Sequence, residues 1–477
     1  MVSTVHNLYK SYNIGNHNST ILGLLKKKPR RFLNLGLFSA IMALAFPGGP
    51  VVRDLLSVVL FSTKLSWLIP IPLFIVQAAC THRALNIDLL IDVNKIQRGL
   101  ERSEKKRVIY TITTKGENTV TLRQSFDSTR YWLSKVKEIH NLSFDSEIWV
   151  VTEEDSYREK PAFFNELESD GAILVVTPQE YRTLHDSKFK ARALHFASEL
   201  RQEKGINTLN DWVYHQDTET MVGEDTVLGN LDYIIDADDS RVIGSGIILY
   251  PQNWRYHYNS VEETTRSVND IGAIGQMRLW GIVPFGYHGS HFIVRADIEN
   301  EIGWDFGEVR SEDLLFSLKL REKFGAVTRP MKGFAYEKPP LTMGDQLKQR
   351  RRWILGTIEV LRRRDVALKF KAPIIYSLSS WLSALPSIIA SILGLVYPTG
   401  GIFPFIGGFF TGFIWWTIYS AYKVGLDLHD SYVSPFEPWK KMKILAGAAL
   451  GLFFDALAPW YALVKRTSRY EEIKKDL

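Results

Sequence analysis

The chain has 477 residues with a single cysteine, Cys80, enough for about three units of ~150 residues and too long for a miniprotein or a lone binding module. An internal disulfide or a cysteine-rich metal centre is excluded. Its 58 Lys and Arg against 52 Asp and Glu leave a net +6, short of the basic stripe that a dedicated nucleic-acid binder needs.

A mean hydropathy of −0.08 averages over a segregated chain, because the apolar residues collect at the two ends. A basic tail over residues 1–31, closing on Lys26, Lys27, Lys28, Arg30 and Arg31, precedes the uncharged run from Phe32 to Val52, near the ~20 residues that cross a hydrocarbon core. A second apolar run extends from about Leu65 to Ala79, broken by Pro70 and Pro72 and ending at His82 and Arg83. Together they predict two transmembrane helices over residues 32–83, an anchor rather than a cleaved signal because the first starts late and another apolar run follows it. Basic residues on both outer flanks, the far one being Arg102, Lys105, Lys106 and Arg107, place both flanks in the cytoplasm by the positive-inside rule.

Residues 105–340 read as a soluble α/β domain. Strands are expected at Arg107–Thr113, Glu147–Thr152, Ala172–Thr177 and Asp211–Gln216, with helices over Thr119–His140 and Lys190–Glu203 between them. A βαβ series of this kind gives a mostly parallel, Rossmann-like sheet, whose ligands sit beyond the carboxyl ends of the strands. No Walker A sequence follows any of them.

The fourth strand runs into Asp217-Thr218-Glu219. Two carboxylates there can hold Mg²⁺ or Mn²⁺ shared with substrate phosphates, or be ordinary solvated acids. Ser311-Glu312-Asp313 opens the amphipathic helix Leu314–Arg321, where acids also serve as helix caps. Between them, Tyr250 to Trp280, with Trp254, Tyr256 and Tyr258, reads as an acceptor groove, as core or as membrane-edge anchors. Residues 341–370 carry Gln349-Arg350-Arg351-Arg352-Trp353, whose i, i+3 and i+4 spacing puts Gln349, Arg352 and Trp353 on one helical face; Arg362, Arg363 and Arg364 suit anionic lipid. From Pro373 to Tyr422 no side chain is charged, room for two spans around Pro398-Thr399-Gly400-Gly401. Ile444 to Val464, holding Asp455 and Pro459, is a fifth span or an interfacial segment. Residues 371–477 are thus expected to supply two to three membrane segments and a basic tail.

Asp-x-Glu at a strand end, Glu-Asp on a helix and Gln-x-x-Arg-Trp at the membrane edge, in that order, resemble the inverting family 2 glycosyltransferases of the membrane-bound synthase type. Asp211–Thr220, Tyr287-His-Gly-Ser-His291, Val294-Arg295 and Leu347–Trp353 look most like the egghead-type β-1,4-mannosyltransferases. The resemblance implies an α/β GT-A domain with α-helical transmembrane segments at both ends, an integral, multi-pass membrane protein whose catalytic domain is cytoplasmic. It implies a nucleotide-sugar donor, at best guess GDP-mannose and otherwise a UDP-sugar, a lipid-linked or glycan acceptor, contact with membrane lipid and no nucleic acid. Thr113, Thr114 and Lys115 match the loop around the nucleotide, and Glu153 or Glu154 the acid that reads base or ribose. Lys190 faces the diphosphate, although Arg192 and His195 replace the family's usual Gly and Asn. Asp217 approaches the donor, Asp217 and Glu219 hold Mn²⁺ or Mg²⁺, and His288 touches metal or acceptor. Gly289 and Ser290 let the backbone approach the acceptor. Asp313 is the general base, Glu312 orients its loop, and Gln349, Arg352 and Trp353 serve the donor, with Trp353 also offered to the acceptor sugar. A processive mannan, cellulose or hyaluronan synthase that exports its polymer is the alternative, and an inactive nucleotide-sugar-binding scaffold a third.

Overall fold

The computed structural model describes Ile21 and residues 68–102, 105–250, 257–396, 402–432, 438–465, 473 and 475. The expected first span from Phe32 to Val52 lies outside these residues, as do Trp254 and Tyr256. Two helices come first, α1 (Pro70–Ala84) and α2 (Val93–Arg102). The catalytic-type half then runs β1 (Arg107–Thr113), α3 (Thr119–His140), β2 (Asp145–Glu153), α4 (Glu154–Glu159), α5 (Pro161–Ser169), β3 (Ile173–Thr177), α6 (Phe189–Glu203) and β4 (Asp211–Asp217). It continues through β5 (Thr220–Val222), α7 (Glu224–Ile235), β6 (Ile243–Leu249), α8 (His257–Trp280), β7 (Phe292–Arg295), α9 (Ala296–Ile302), α10 (Glu312–Phe324) and β8 (Thr328–Glu337). Four helices close the chain: α11 (Met343–Arg362), α12 (Leu368–Val396), α13 (Ile402–Tyr432) and α14 (Pro438–Val464).

The eight strands form one sheet in the order β3-β2-β1-β4-β7-β6-β8-β5. Strand β1 pairs in parallel with both β2 and β4, which sets Thr113 level with Val151 on one side and Asp217 on the other. The chain therefore moves outward from β1 to β3 and returns to the far side of β1, and at such a reversal the loops beyond the strand ends part to leave a crevice. Period-two alternation builds the layers on either face. Val108, Tyr110 and Ile112 pack with Leu122, Phe126, Leu133 and Val136 of α3, while Ile109, Val151 and Val213 pack with Ala193, Leu194 and Ala197 of α6. Helix α3 gives way at Asn141, in the left-handed region with φ 51°, a conformation that asparagine tolerates at helix ends.

The sheet is mostly parallel, as expected, with β6 also parallel to β8; the exceptions fall in its second half. Strand β7 runs antiparallel to both β4 and β6, and β5 antiparallel to β8. All four residues of β7 are buried, so no alternation of polar and apolar positions marks its direction or its face.

Among the described residues one helical segment, Leu368–Ile389, is long and apolar enough to cross a membrane, and Phe453–Val464 is a shorter apolar helix. The expected second N-terminal span enters the described residues as α1, a 15-residue helix seated on α8 of the α/β domain. A side chain at Gly275 would run into the backbone carbonyl of Cys80, so the two helices meet almost backbone to backbone and Cys80 itself is buried. Gly275→Leu is expected to lower stability by about 1–3 kcal/mol or more, the usual range for overpacking, read as a drop in the thermal midpoint of the detergent-solubilised protein.

Candidate active site

At the β1/β4 crevice lies a cavity of about 110 Å³, whose walls include Thr113, Thr114 and Lys115 after β1, Glu153 at the end of β2 and Lys190 on α6. Asp217 and Glu219 after β4 and Gln349 and Arg352 of α11 complete it, together with Ile473. Nine candidate positions, Thr113, Thr114, Lys115, Glu153, Lys190, Asp217, Glu219, Gln349 and Arg352, thus meet at one place although they belong to five separate elements.

Lys190 is the hub. Its Nζ donates to Asp217 Oδ1 at 2.5 Å and to the Gly289 carbonyl at 2.9 Å. Burial alone would lower this ammonium, but Asp217, Glu312 and Asp313 outweigh it and hold it above its ordinary range. Asp217 shifts the opposite way: burial would raise it, yet Lys190 and then Arg352 keep it below the usual carboxylate value. Lys190 and Asp217 are therefore held as ions near neutral pH.

Asp313 lies at the first turn of α10, its Oδ1 accepting the Leu314 N–H at 2.8 Å. Gly289 lies between it and Lys190. A Cβ on Gly289 would stand 3.3 Å from Asp313 Oδ2, 3.3 Å from Lys190 Nζ and 3.7 Å from Asp217 Oδ2. The absence of a side chain thus lets an acid, an ammonium and a second acid converge on one point of the backbone. Burial lifts Asp313 above the ordinary carboxylate range despite Lys190; neighbouring Glu312 is pushed up to about 7 by burial and by the Asp313 charge.

Several expectations need correction. Of the two acids after β2, Glu153 lines the cavity, whereas Glu154 turns away to accept the Gln179 N–H at 2.8 Å and Arg158 at 2.5 Å. Glu153 is itself held by Arg192, the arginine that stands where the resembled family has glycine. His288 is not placed as a metal ligand: its Nε2 is bonded to Asp270, and its Nδ1 faces the Arg266 guanidinium at 3.4 Å. Trp353 does not line the cavity; the Arg350 and Arg266 guanidinium groups lie over its ring at 4.3 and 4.9 Å, each a cation–π contact. Arg350 is buried between Glu263 and Asp455 at 2.8 Å each. That second bond ties α14 to α11 and accounts for the acid within the apolar stretch from Ile444 to Val464.

Among the described residues no three His, Cys, Asp or Glu side chains gather as a metal-ligand set. Asp217 and Glu219 nonetheless line one cavity, a donor set that suits a hard cation which keeps few protein ligands and takes the rest from phosphate.

Sequence reasoning missed Glu337, at the end of β8. Buried, it accepts hydrogen bonds from Ser290 and, at 3.0 Å, from Thr220, and so fixes the loop 287–291 to the Asp-x-Glu turn. It also missed Glu263, Arg266 and Asp270 on α8. Their spacing of three and four residues puts them on one helical face, a signal that was present in the sequence.

A model of the glycosyl transferase family group 2 matches residues 212–426. The β-1,4-mannosyltransferase bre-3 of Caenorhabditis elegans is 27% identical over 314 residues, 64% of this chain and 67% of that one. The bre-3 enzyme of Caenorhabditis briggsae is 30% identical over 238 residues, 48% of this chain and 50% of its own. The β-1,4-mannosyltransferase egh of Drosophila melanogaster is 30% identical over 233 residues, 47% and 49% respectively. The chain thus spans about half to two thirds of the curated relatives it matches. Glucosyl-3-phosphoglycerate synthase of Mycobacterium tuberculosis, solved with Mn²⁺, UDP and glucosyl-3-phosphoglycerate, aligns over 65% of this chain and 86% of its own at 9% identity and a TM-score of 0.30, too loose a likeness to weigh in the argument.

Proposed function

We propose that this chain, a family 2 glycosyltransferase with a GT-A-like fold and distant homology to the egghead and bre-3 β-1,4-mannosyltransferases, moves a sugar with inversion from a nucleotide diphosphate to a lipid-linked or glycan acceptor. Mannose from GDP-mannose is the donor to test first. The observation that carries the reading is the convergence at Gly289, where a Cβ would stand 3.3 Å from both Asp313 Oδ2 and Lys190 Nζ and 3.7 Å from Asp217 Oδ2.

Direct displacement at an anomeric carbon needs a base for the incoming hydroxyl and positive charge for the departing diphosphate. Asp313 Oδ2 takes the hydroxyl proton; one carboxylate suffices, since no covalent glycosyl intermediate has to form. Lys190 and Arg352 carry the leaving-group side, the guanidinium being suited to two phosphate oxygens at once. Asp217 and Glu219 are the residues that would hold Mn²⁺ or Mg²⁺, which when bound supplies Lewis-acid charge to the diphosphate. Thr113, Thr114, Lys115 and Glu153 form the nucleotide end. Ser290, anchored on Glu337, and His288, anchored on Asp270, form the acceptor end. We place the domain on the cytoplasmic face of a bilayer, with Leu368–Ile389 as a span and the remaining apolar segments adding further crossings.

Purified protein in detergent, given Mn²⁺, labelled GDP- and UDP-sugars and a lipid extract, is expected to yield a glycolipid extended by one sugar. No transfer from any donor would sink the reading, and a polymer ladder would favour a processive synthase.

The pH profile gives a second test. Asp313 works only when ionised, and its raised pKa puts the acid limb of kcat/KM above the ~4 of an ordinary carboxylate. Glu312, pushed up to about 7 in part by the Asp313 charge, is still protonated as Asp313 ionises, so the neutral Glu312→Gln should leave the limb near its wild-type position. A limb that moves strongly in Glu312→Gln would assign it to Glu312 rather than to Asp313.

A further inference from the structure

Ile473 and Lys475 lie inside the donor crevice. Asn118, just ahead of α3, holds them with both ends of its amide: Nδ2 donates to the Ile473 carbonyl at 3.1 Å and Oδ1 accepts the Lys475 N–H at 2.9 Å. That is the pairing an adjacent strand would offer. Thr121 Oγ1 adds a bond to the Lys475 carbonyl at 3.4 Å. The Lys475 side chain is 3% exposed, and its Nζ sits 2.6 Å from the Lys338 carbonyl and 3.1 Å from Glu219 Oε1. Ile473, 4% exposed, forms part of the cavity wall.

We propose that Ile473 and Lys475 form an occluding strap over the donor site, with the Lys475 ammonium taking on Glu219 the place that a nucleotide-bound cation would otherwise take. The proposal rests on the glycosyltransferase reading. Two observations carry it independently of each other. The cavity holds about 110 Å³ with Ile473 in its wall, whereas sites for small ligands run to ~300–1,000 Å³, so a nucleotide sugar enters only as the strap leaves. And the ammonium is aimed at the one carboxylate of Asp-x-Glu that Lys190 does not hold, so strap and cation compete for a single anion. The strap is made of a few ordinary hydrogen bonds and one ion pair, each of modest net strength, which lets donor and cation displace it together. A protein whose competent state is only partly populated binds with an affinity reduced by that fraction, so the strap sets a threshold on donor concentration.

The test uses the full chain in detergent and calorimetric titration with GDP and with UDP, each with Mn²⁺. Lys475→Ala and Ile473→Asp should each bind the preferred nucleotide roughly tenfold more tightly than the wild type, while Lys475→Arg should stay near it. Hydrogen exchange supplies a readout apart from affinity: the Lys475 amide, protected in the free protein, should lose protection at saturating nucleotide. Equal or weaker binding by Lys475→Ala and Ile473→Asp, or protection that persists in the complex, would make these residues a fixed wall of the site and overturn the strap. If neither nucleotide binds to the wild type or to any variant, the donor-site reading itself falls, and the strap with it.

Discussion

Asp313→Asn is expected to cut transfer by at least the ~10²- to 10⁴-fold that a positioned general base contributes, while the affinity for nucleotide changes little. The two effects separate because of where Asp313 stands. Its Oδ2 lies beside Gly289, which Lys190 and Asp217 also approach, and Asp313 is not among the walls of the cavity assigned to the nucleotide, so the amide loses the proton acceptor without touching the nucleotide end. Asparagine keeps the size of the side chain and the acceptor for the Leu314 N–H, so the turn that opens α10 should hold. In kinetic terms kcat and kcat/KM should fall together, the signature of an interaction made in the transition state. A parallel loss of nucleotide binding would assign Asp313 to the donor rather than to the acceptor proton.

Gly289→Val should be as severe for a different reason. A single Cβ already comes within 3.3 Å of both Asp313 Oδ2 and Lys190 Nζ, tighter than ordinary van der Waals contact, and the two further methyl groups of valine would fill the space where acceptor oxygen and anomeric carbon must meet. Reacting atoms have to approach to about 3–3.5 Å, and a displacement near 1 Å can cost ~10²-fold. We therefore expect transfer to fall by at least that factor, with Gly289→Ala intermediate. Far-ultraviolet circular dichroism and retained nucleotide binding would separate a blocked site from an unfolded one. Full activity in Gly289→Val would remove Gly289 from the mechanism.

How much of this could be read in advance follows from what each residue's neighbours encode. The strands β1 to β4 and the helices α3 and α6 announce themselves by apolar alternation and helical spacing, and those expectations agree with the structure to within a residue or two at most ends. Asp217, Glu219 and Asp313 were legible because acids at strand and helix ends follow from local pattern. The antiparallel β7 was not, being four buried residues with no periodicity. Glu337 and Lys475 were illegible for a stronger reason. Each acquires its meaning only from a partner far away in the chain, Ser290 and Thr220 for the one, Glu219 for the other, and no local spacing encodes such pairs. Conversely Trp353 looked like a ligand contact because it shares a helical face with Gln349; the fold sets its ring against the Arg266 and Arg350 guanidinium groups instead.

The reversed direction of β7 has a consequence for how such a protein can diversify. Its first residue, Phe292, lies opposite His215 of β4, so the loop 287–291 arrives at the same rim of the sheet from which the loops after β1 and β4 depart. The segments we assign to donor and acceptor thus reach one rim from opposite chain directions and share no stretch of sequence. They are nonetheless tied together, by Lys190 on the Gly289 carbonyl and by Glu337 between Ser290 and Thr220. A change within residues 287–291 is therefore expected to be felt at the donor end as well, so that the two specificities must drift together.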